Sequence, residues 1–300
     1  MIITCQTHEI VNWHPEDDFE AIVKAARVCY QSEPLNTKEE KEAFVKRLIK
    51  RGEMSPLEHS LLTVSFVTNR GVTHELVRHR LASYSQESTR YCNYGISRNM
   101  SIQSVKDDES IGSVTYIWDP YIKKEDRDTW LDGLRASEKE YLKLLRLGYK
   151  PQIARGCLPI DLKTQIVMSA NYREWRHVFK LRCNRKTAHP HIRDLMTPVL
   201  YQVTRKLPSI FGDICEWVND QADEQAKNNI PNDTADEQAK NNIPNDSVTI
   251  AEVSYFGDGI GNCRCMKCHA SINKQDTYCR ICGRLITGHK YFKNEGFKDV

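Results

Sequence analysis

Residues 78–91 read Arg78-His79-Arg80-Leu81-Ala82-Ser83-Tyr84-Ser85-Gln86-Glu87-Ser88-Thr89-Arg90-Tyr91, and the reading of the whole chain turns on this stretch. Three arginines, a histidine and four hydroxyl side chains at positions 83 to 88 crowd into fourteen residues. Guanidinium forks bind phosphate oxygens in pairs, and serine hydroxyls with loop amides complete such a shell. A lone Arg-His-Arg triplet is more often a solvated surface run, so its neighbours must decide.

Working outward, residues 61–68 (LLTVSFVT) are rich in β-branched and apolar residues and predict a buried strand, followed by a short helical stretch near Thr73. Upstream, the alternation in residues 1–7 predicts a short strand. Phe19, Ile22, Val23 and Ala26 recur at helical spacing, as do Phe44, Leu48 and Ile49 before a terminating Gly52. Downstream, Trp130, Leu131, Leu134, Tyr141, Leu144 and Leu145 outline a long amphipathic helix ending near Gly148. Ile192, Leu195, Met196, Val199 and Val203 outline a late helix despite Pro198. The pattern is α+β, with a mixed or antiparallel sheet and long helices. It lacks the βαβ alternation and GxGxxG turn of a dinucleotide-binding Rossmann domain.

Between these elements, residues 164–183 read as helical. Asn171, Trp175, Val178 and Arg182 then fall on one stripe, beside an Arg173/His177 pair four residues apart. An Asn and an Arg on a buried face need polar partners, and a ligand is one way to supply them.

The 300 residues are 40% hydrophobic and 28% charged, with a net charge of +3 and 11 cysteines. That length predicts one large domain with an appendage. No apolar run approaches the ~20 residues of a membrane span, and the N-terminus lacks the pattern of an export signal, so a cytoplasmic protein with no membrane contact is expected. The charge divides unevenly: +5 over residues 1–219, −5 over 220–246 and +3 over 251–300. Residues 222–233 and 235–246 repeat the same twelve letters, ADEQAKNNIPND. Two copies with almost nothing apolar predict an acidic, solvated linker, placed at 219–250 between a 1–218 domain and a 251–300 module.

Within the last module, Cys265-x2-Cys268 and Cys279-x2-Cys282 are two knuckle-like pairs, the spacing by which four thiolates reach one tetrahedral zinc. Cys263 competes with Cys265 as ligand. Some fifty residues bury little core, so a ribbon of this kind would take much of its stability from the metal. Such ribbons contact nucleic acid or protein, or simply stabilise.

Arg78, His79 and Arg80, followed after seven residues by Ser88, resemble the signature of the flavin-dependent thymidylate synthases. Ala25-Ala26-Arg27-Val28-Cys29-Tyr30, Ser55-Pro56-Leu57-Glu58-His59, Ala154-Arg155-Gly156-Cys157-Leu158-Pro159, Asn171-Tyr172-Arg173, His177, Leu181-Arg182 and Ala188-His189-Pro190 follow in the family's order. The resemblance covers residues 1 to about 217. It implies reductive methylation of dUMP, with 5,10-methylenetetrahydrofolate as carbon donor, FAD as hydride carrier and NADPH as reductant, in a homotetramer with shared active sites. It assigns dUMP to Glu75, Arg78, Gln86, Ser88, Arg90, Arg155 and Arg182, with Arg182 the catalytic group that stabilises negative charge on the N3/O4 side of uracil. It assigns FAD to Ser55, Arg78, His79, Arg80, Leu81, Asn171, Arg173 and His177.

Departures are Glu53 where many relatives have His, Glu75 where Gln is common, Gln86-Glu87 where an acidic residue often comes first, and the cysteine-rich tail. Ser88 reads as a positioning group, since no base is assigned to its hydroxyl. Cys92 reads as an inert thiol and His59 as structural. The competing reading is a nucleic-acid-binding zinc-ribbon protein. It lacks aromatics interleaved along a basic groove and leaves the ordered matches unexplained.

Overall fold

The computed structural model describes residues 1–95 and 114–227, with three short strands in the tail. At its centre is a four-stranded antiparallel sheet in the order β2-β3-β6-β4, formed by β2 (Thr7–Trp13), β3 (Leu62–Asn69), β4 (Ala82–Gln86) and β6 (Lys163–Ala170). The apolar run predicted at 61–68 is β3, buried along nearly its whole length because it pairs on both sides. Beyond β6, edge strand β4 pairs Ala82 with Ala170 and Gln86 with Ile166. Its outer residues Ser83 and Ser85 are exposed, while Ala82, Tyr84 and Gln86 turn inward.

The helices form for local reasons and then pack on this sheet. Helix α1 (Pro15–Tyr30) begins with proline at its first position and buries Phe19, Ile22, Val23 and Ala26. Helix α2 (Lys38–Arg51) has a reciprocal Thr37/Glu40 capping box and stops at Gly52, whose φ of +78° suits glycine. Helix α3 (Arg70–Leu76) is capped by Asn69, whose Oδ1 accepts from Val72 N at 2.8 Å. A second, smaller core gathers β1 (Ile2–Thr4), β5 (Thr115–Ile117), which pairs parallel to it, and helix α4 (Arg127–Arg146). Helix α4 ends two residues before a left-handed Gly148, close to where its periodicity runs out.

The remaining helices enclose the main core: α5 (Tyr172–Arg182), α6 (Pro190–Lys206) and α7 (Pro208–Lys227). Trp175, Val178 and Phe179 of α5 meet Phe66 of β3, Met196 and Val199 of α6, and Ile210 and Phe211 of α7 in one buried cluster. Fully burying side chains of this size contributes about 1.5–3 kcal/mol each, so α5 has little freedom to rotate about its axis.

Two expectations change. The helix read over residues 164–183 is a strand and a helix: Thr164, Ile166, Met168 and Ala170 are buried alternately in β6, and the helix begins only after Asn171. The edge of the acidic linker also moves. Helix α7 runs past residue 218 to Lys227, and the buried Gln221 accepts from Arg185 N at 3.0 Å, so nine residues assigned to the linker are helical. In the tail, Gly257–Asp258, Asn262–Arg264 and Ser271–Ile272 form a small antiparallel sheet. The predicted zinc ligands Cys265, Cys268, Cys279 and Cys282 lie outside the described residues. Among the described residues no helix is long and apolar enough to cross a membrane.

Candidate active site

Helix α5 supplies the site's fixed edge. At its start, Asn171 Oδ1 accepts from Glu174 N at 2.9 Å and Tyr172 N donates to Ser60 Oγ at 2.9 Å, so the cap also ties α5 to the turn Ser55–Glu58. Arg173 strengthens that tie through a 2.5 Å bond to Glu58 Oε1. Midway, Arg176 is buried and forks onto Asp213 of α7 at 2.7 and 2.6 Å, with Nη1 also meeting the Ile210 carbonyl. Burial alone would raise the Asp213 carboxyl, but the Arg176 hydrogen bonds and charge outweigh it and hold it below its ordinary value.

At the other end of α5, a chain of polar contacts crosses to α3. Arg182 Nη1 donates to Glu75 Oε2 at 2.8 Å, Nη2 to the Glu75 carbonyl at 3.2 Å, and Nε to His79 Nε2 at 3.0 Å. A guanidinium only donates, so His79 Nε2 must be an acceptor and the ring proton sits on Nδ1. That Nδ1 faces Glu174 Oε1 at 3.5 Å. Burial first, then the charges of Arg182 and His177, lower the His79 pKa to about 4, which keeps the ring neutral near pH 7. The His177 ring lies edge-on to that of His79, 5.6 Å between centres.

Tyr84 of β4 anchors the intervening loop. Its hydroxyl lies 2.6 Å from the Leu76 carbonyl and 2.9 Å from that of His79, and burial followed by the Glu174 charge pushes its pKa up to about 12, so it stays a donor. The loop is thereby held so that His79 points inward while Arg78, Arg80 and Leu81 face out. Among the described residues, neither the Arg78 nor the Arg80 side chain has a hydrogen bond or ion pair, and Leu81 is 75% exposed.

Along β4 and the turn after it lie the other expected substrate residues. Gln86 Nε2 bonds to Thr73 Oγ1 at 2.9 Å and Thr164 Oγ1 at 3.3 Å, which places it beside α3, two residues from Glu75. The Ser88 carbonyl accepts from Cys92 N at 2.9 Å and its hydroxyl from Arg90 N at 3.3 Å, so the residue organises the turn. Arg155 Nη1 reaches into the same turn, to Thr89 Oγ1 at 2.6 Å, while the exposed Arg90 lies over the Tyr91 ring.

The predicted residues thus fall into three neighbourhoods of one chain. Glu75, His79, His177 and Arg182 are in one network; Ser88, Arg90 and Arg155 share the 88–92 turn; Ser55, Asn171 and Arg173 gather at the start of α5. The single Arg182 stripe needs correction: Trp175 and Val178 are core, Asn171 is the helix cap, and the partners of Arg182 are protein groups. His59 is exposed, and no buried structural role is seen for it. Sequence reasoning missed Glu174, and the available signal was an acidic residue one turn before His177 on an otherwise apolar and basic helix.

This geometry can be set beside known proteins. The family model described as "Thymidylate synthase complementing protein" matches residues 10–209. A flavin-dependent thymidylate synthase of Mycobacterium marinum is 34% identical over 207 residues, 66% of this chain and 80% of the relative. One from Geobacter sulfurreducens is 33% identical over 210 residues, 67% of this chain and 83% of the relative. Among solved structures, the UMP/dUMP methylase PolB of Streptomyces cacaoi, bound with 5-Br dUMP, superposes with a TM-score of 0.58 at 20% identity, over 71% of this chain and 96% of that one. The last likeness establishes the α+β fold; with the family match and the relatives, the chain belongs to the flavin-dependent thymidylate synthase family.

Proposed function

We propose that the chain reductively methylates dUMP to dTMP, with 5,10-methylenetetrahydrofolate as carbon donor, NADPH as reductant and FAD as the flavin. Family membership supports the reaction class. The observation that carries the reading to this site is the Arg182 guanidinium, held by three hydrogen bonds to His79 and Glu75, close in sequence to Arg78 and Arg80, which are unpaired among the described residues.

The residues suit each ligand. Two exposed arginines without partners among the described residues match a dinucleotide pyrophosphate, and exposed Leu81 with the His79 and His177 rings matches an apolar aromatic system. Ser55, Asn171 and Arg173 supply polar groups at the start of the same helix. When bound, FAD supplies the hydride. Arg90, Arg155 and the turn at Ser88 address the nucleotide phosphate, and Gln86 addresses the base or sugar. Arg182 stabilises negative charge on the N3/O4 side of uracil, which makes C5 nucleophilic, and its guanidinium is oriented before substrate arrives. Ser88 orients: among the described residues no carboxylate or imidazole contacts its hydroxyl.

In the same reading the enzyme is a homotetramer with shared active sites, in the cytoplasm, where six free thiols in the described domain suit a reducing environment. Cys265, Cys268, Cys279 and Cys282 hold one zinc in the tail. The test is a dUMP-to-dTMP assay with methylenetetrahydrofolate, NADPH and FAD, on the full chain and on a version ending at Lys227, which keeps α7 whole. Both are expected to turn over. A full chain that stays colourless with added FAD and shows no dUMP-dependent NADPH oxidation would overturn the reading.

A further inference from the structure

Beside Arg182, two side chains that the flavin reading uses, His79 and His177, converge with a third, Glu174, that it does not. Ligand atoms of His79, Glu174 and His177 all lie within 4.8 Å of one another. His79 and Glu174 are buried, and exposed His177 opens the group to solvent. The Glu174 side chain is 7% exposed, and among the described residues no lysine or arginine pairs with it; it faces His79 Nδ1 at 3.5 Å. A buried carboxylate in this position is stabilised by a cation. Arg182 does not serve, since its charge is already matched by Glu75.

Two imidazoles and one carboxylate with an open side are a donor set for borderline divalent metals such as zinc, and a poor one for magnesium or calcium, which prefer all-oxygen shells. We propose that His79, Glu174 and His177 form an inhibitory zinc site, and that zinc and the flavin are alternative occupants of this corner. The second clause rests on the flavin reading above; the first does not.

Chemistry at His79 makes the site inhibitory in its own right. Zinc bound at Nδ1 needs the lone pair of that nitrogen, so the single ring proton leaves Nδ1 for solvent and the ring takes one from solvent at Nε2, the other tautomer. Nε2–H then opposes Arg182 Nε–H, so the 3.0 Å hydrogen bond is lost and Arg182 swings free of its His79 support. Zinc therefore excludes the flavin and disengages the catalytic guanidinium in one event.

The test uses the full, flavin-free chain and Zn²⁺ itself, titrated against a chromophoric chelator at micromolar zinc. Glu174→Gln and His177→Ala are each expected to bind one equivalent fewer than wild type, while zinc held by the tail cysteines is unchanged in all three. Equal stoichiometry in the three proteins overturns the site. Glu174→Gln preserves side-chain shape and His177 is exposed, so the two variants check one another against misfolding. In a second arm, FAD binding is followed by flavin fluorescence. Zinc is expected to weaken it tenfold or more in wild type and to leave Glu174→Gln unaffected; an equal zinc effect in both, or none in wild type, overturns the exclusion. If FAD binds to neither protein while the zinc difference persists, the flavin reading falls and the metal site stands.

Discussion

Arg176 and Arg182 lie six residues apart on one helix, each with a carboxylate from another element, yet they serve opposite ends. Arg176 is 2% exposed and forks onto Asp213, closing the seam between α5 and α7. Arg182 is 20% exposed and shares its donors between Glu75 and His79 at the end of the helix. A two-toothed pair whose guanidinium is buried and whose carboxylate reaches the surface fixes helix orientation. Divided donors at the edge fix a charge while leaving it reachable. Whether an arginine on this helix is locked into the fold or left reachable is thus set by its partner's position and by how much water reaches it.

The sharpest way to break the comparison is at the seam. Asp213→Ala leaves the buried guanidinium with the Ile210 carbonyl but without its carboxylate, and, because Asp213 itself is half-exposed, is expected to cost about 1.5–3 kcal/mol in urea unfolding at fixed protein concentration. Joint replacement of Arg176 by Met and Asp213 by Leu should recover most of it. A loss below about 1 kcal/mol in the single variant would place Arg176 in the same class as Arg182.

At Arg182 the order reverses. Arg182→Ala is expected to lower kcat for dTMP formation by about 10²–10³ while stability shifts by about 1 kcal/mol or less. Arg182→Lys should restore little, because a lysine has no Nε–H fork to span His79 and Glu75 together. Equal loss of kcat in the Asp213 variant at full folding would erase the distinction.

His79 adds a pH signature confined to the Arg182 network. Its folded pKa of about 4 lies below the ordinary 6.5, so between these values the unfolded chain binds the extra proton. The stability it contributes is complete above pH 6.5 and is lost as pH falls to about 4. Protonation also places a hydrogen on Nε2 and repels Arg182. Urea titrations across that window should show a decline in wild type that His79→Gln flattens, and a wild-type kcat/KM that holds well below pH 6.5. A break in activity at 6.5 would contradict the buried neutral imidazole.

The smallest effect concerns Glu75. Its charge now neutralises Arg182, so Glu75→Gln keeps a hydrogen-bond acceptor but removes the competing anion. KM for dUMP should fall about fivefold, the scale of a partly exposed ion pair worth about 1 kcal/mol. An increased KM would assign Glu75 to substrate binding rather than to holding Arg182.

The two arginines were not equally legible. Arg182 stood out through Leu181-Arg182 in its ordered relation to the Arg78-His79-Arg80-x7-Ser88 signature, whereas Arg176 carried no signal, because Asp213 is 37 residues away and periodicity says nothing about such a pairing. Helices α1, α2, α4 and α6 were readable from apolar spacing, since one face of each packs on a single core. Strand β6 was hidden in a helical reading: the alternation of Thr164, Ile166, Met168 and Ala170 is short and runs without a break into Tyr172–Arg182. β4 looked like a polar loop, because an edge strand of serines gains its ladder from β6 and not from its own composition.

By itself the sequence determined the family, the apolar faces of the main helices, the division of charge among three segments, and most of the residue types that the chemistry requires. These are local or ordered along the chain, so spacing carries them. Only the tertiary structure decided that His79 accepts from Arg182 and turns its proton toward Glu174, that Glu75 balances the guanidinium, and that Arg78 and Arg80 face outward. Those facts depend on α3, β4 and α5 meeting across more than a hundred residues of chain, where burial and hydrogen-bond direction, rather than residue identity, set protonation and charge.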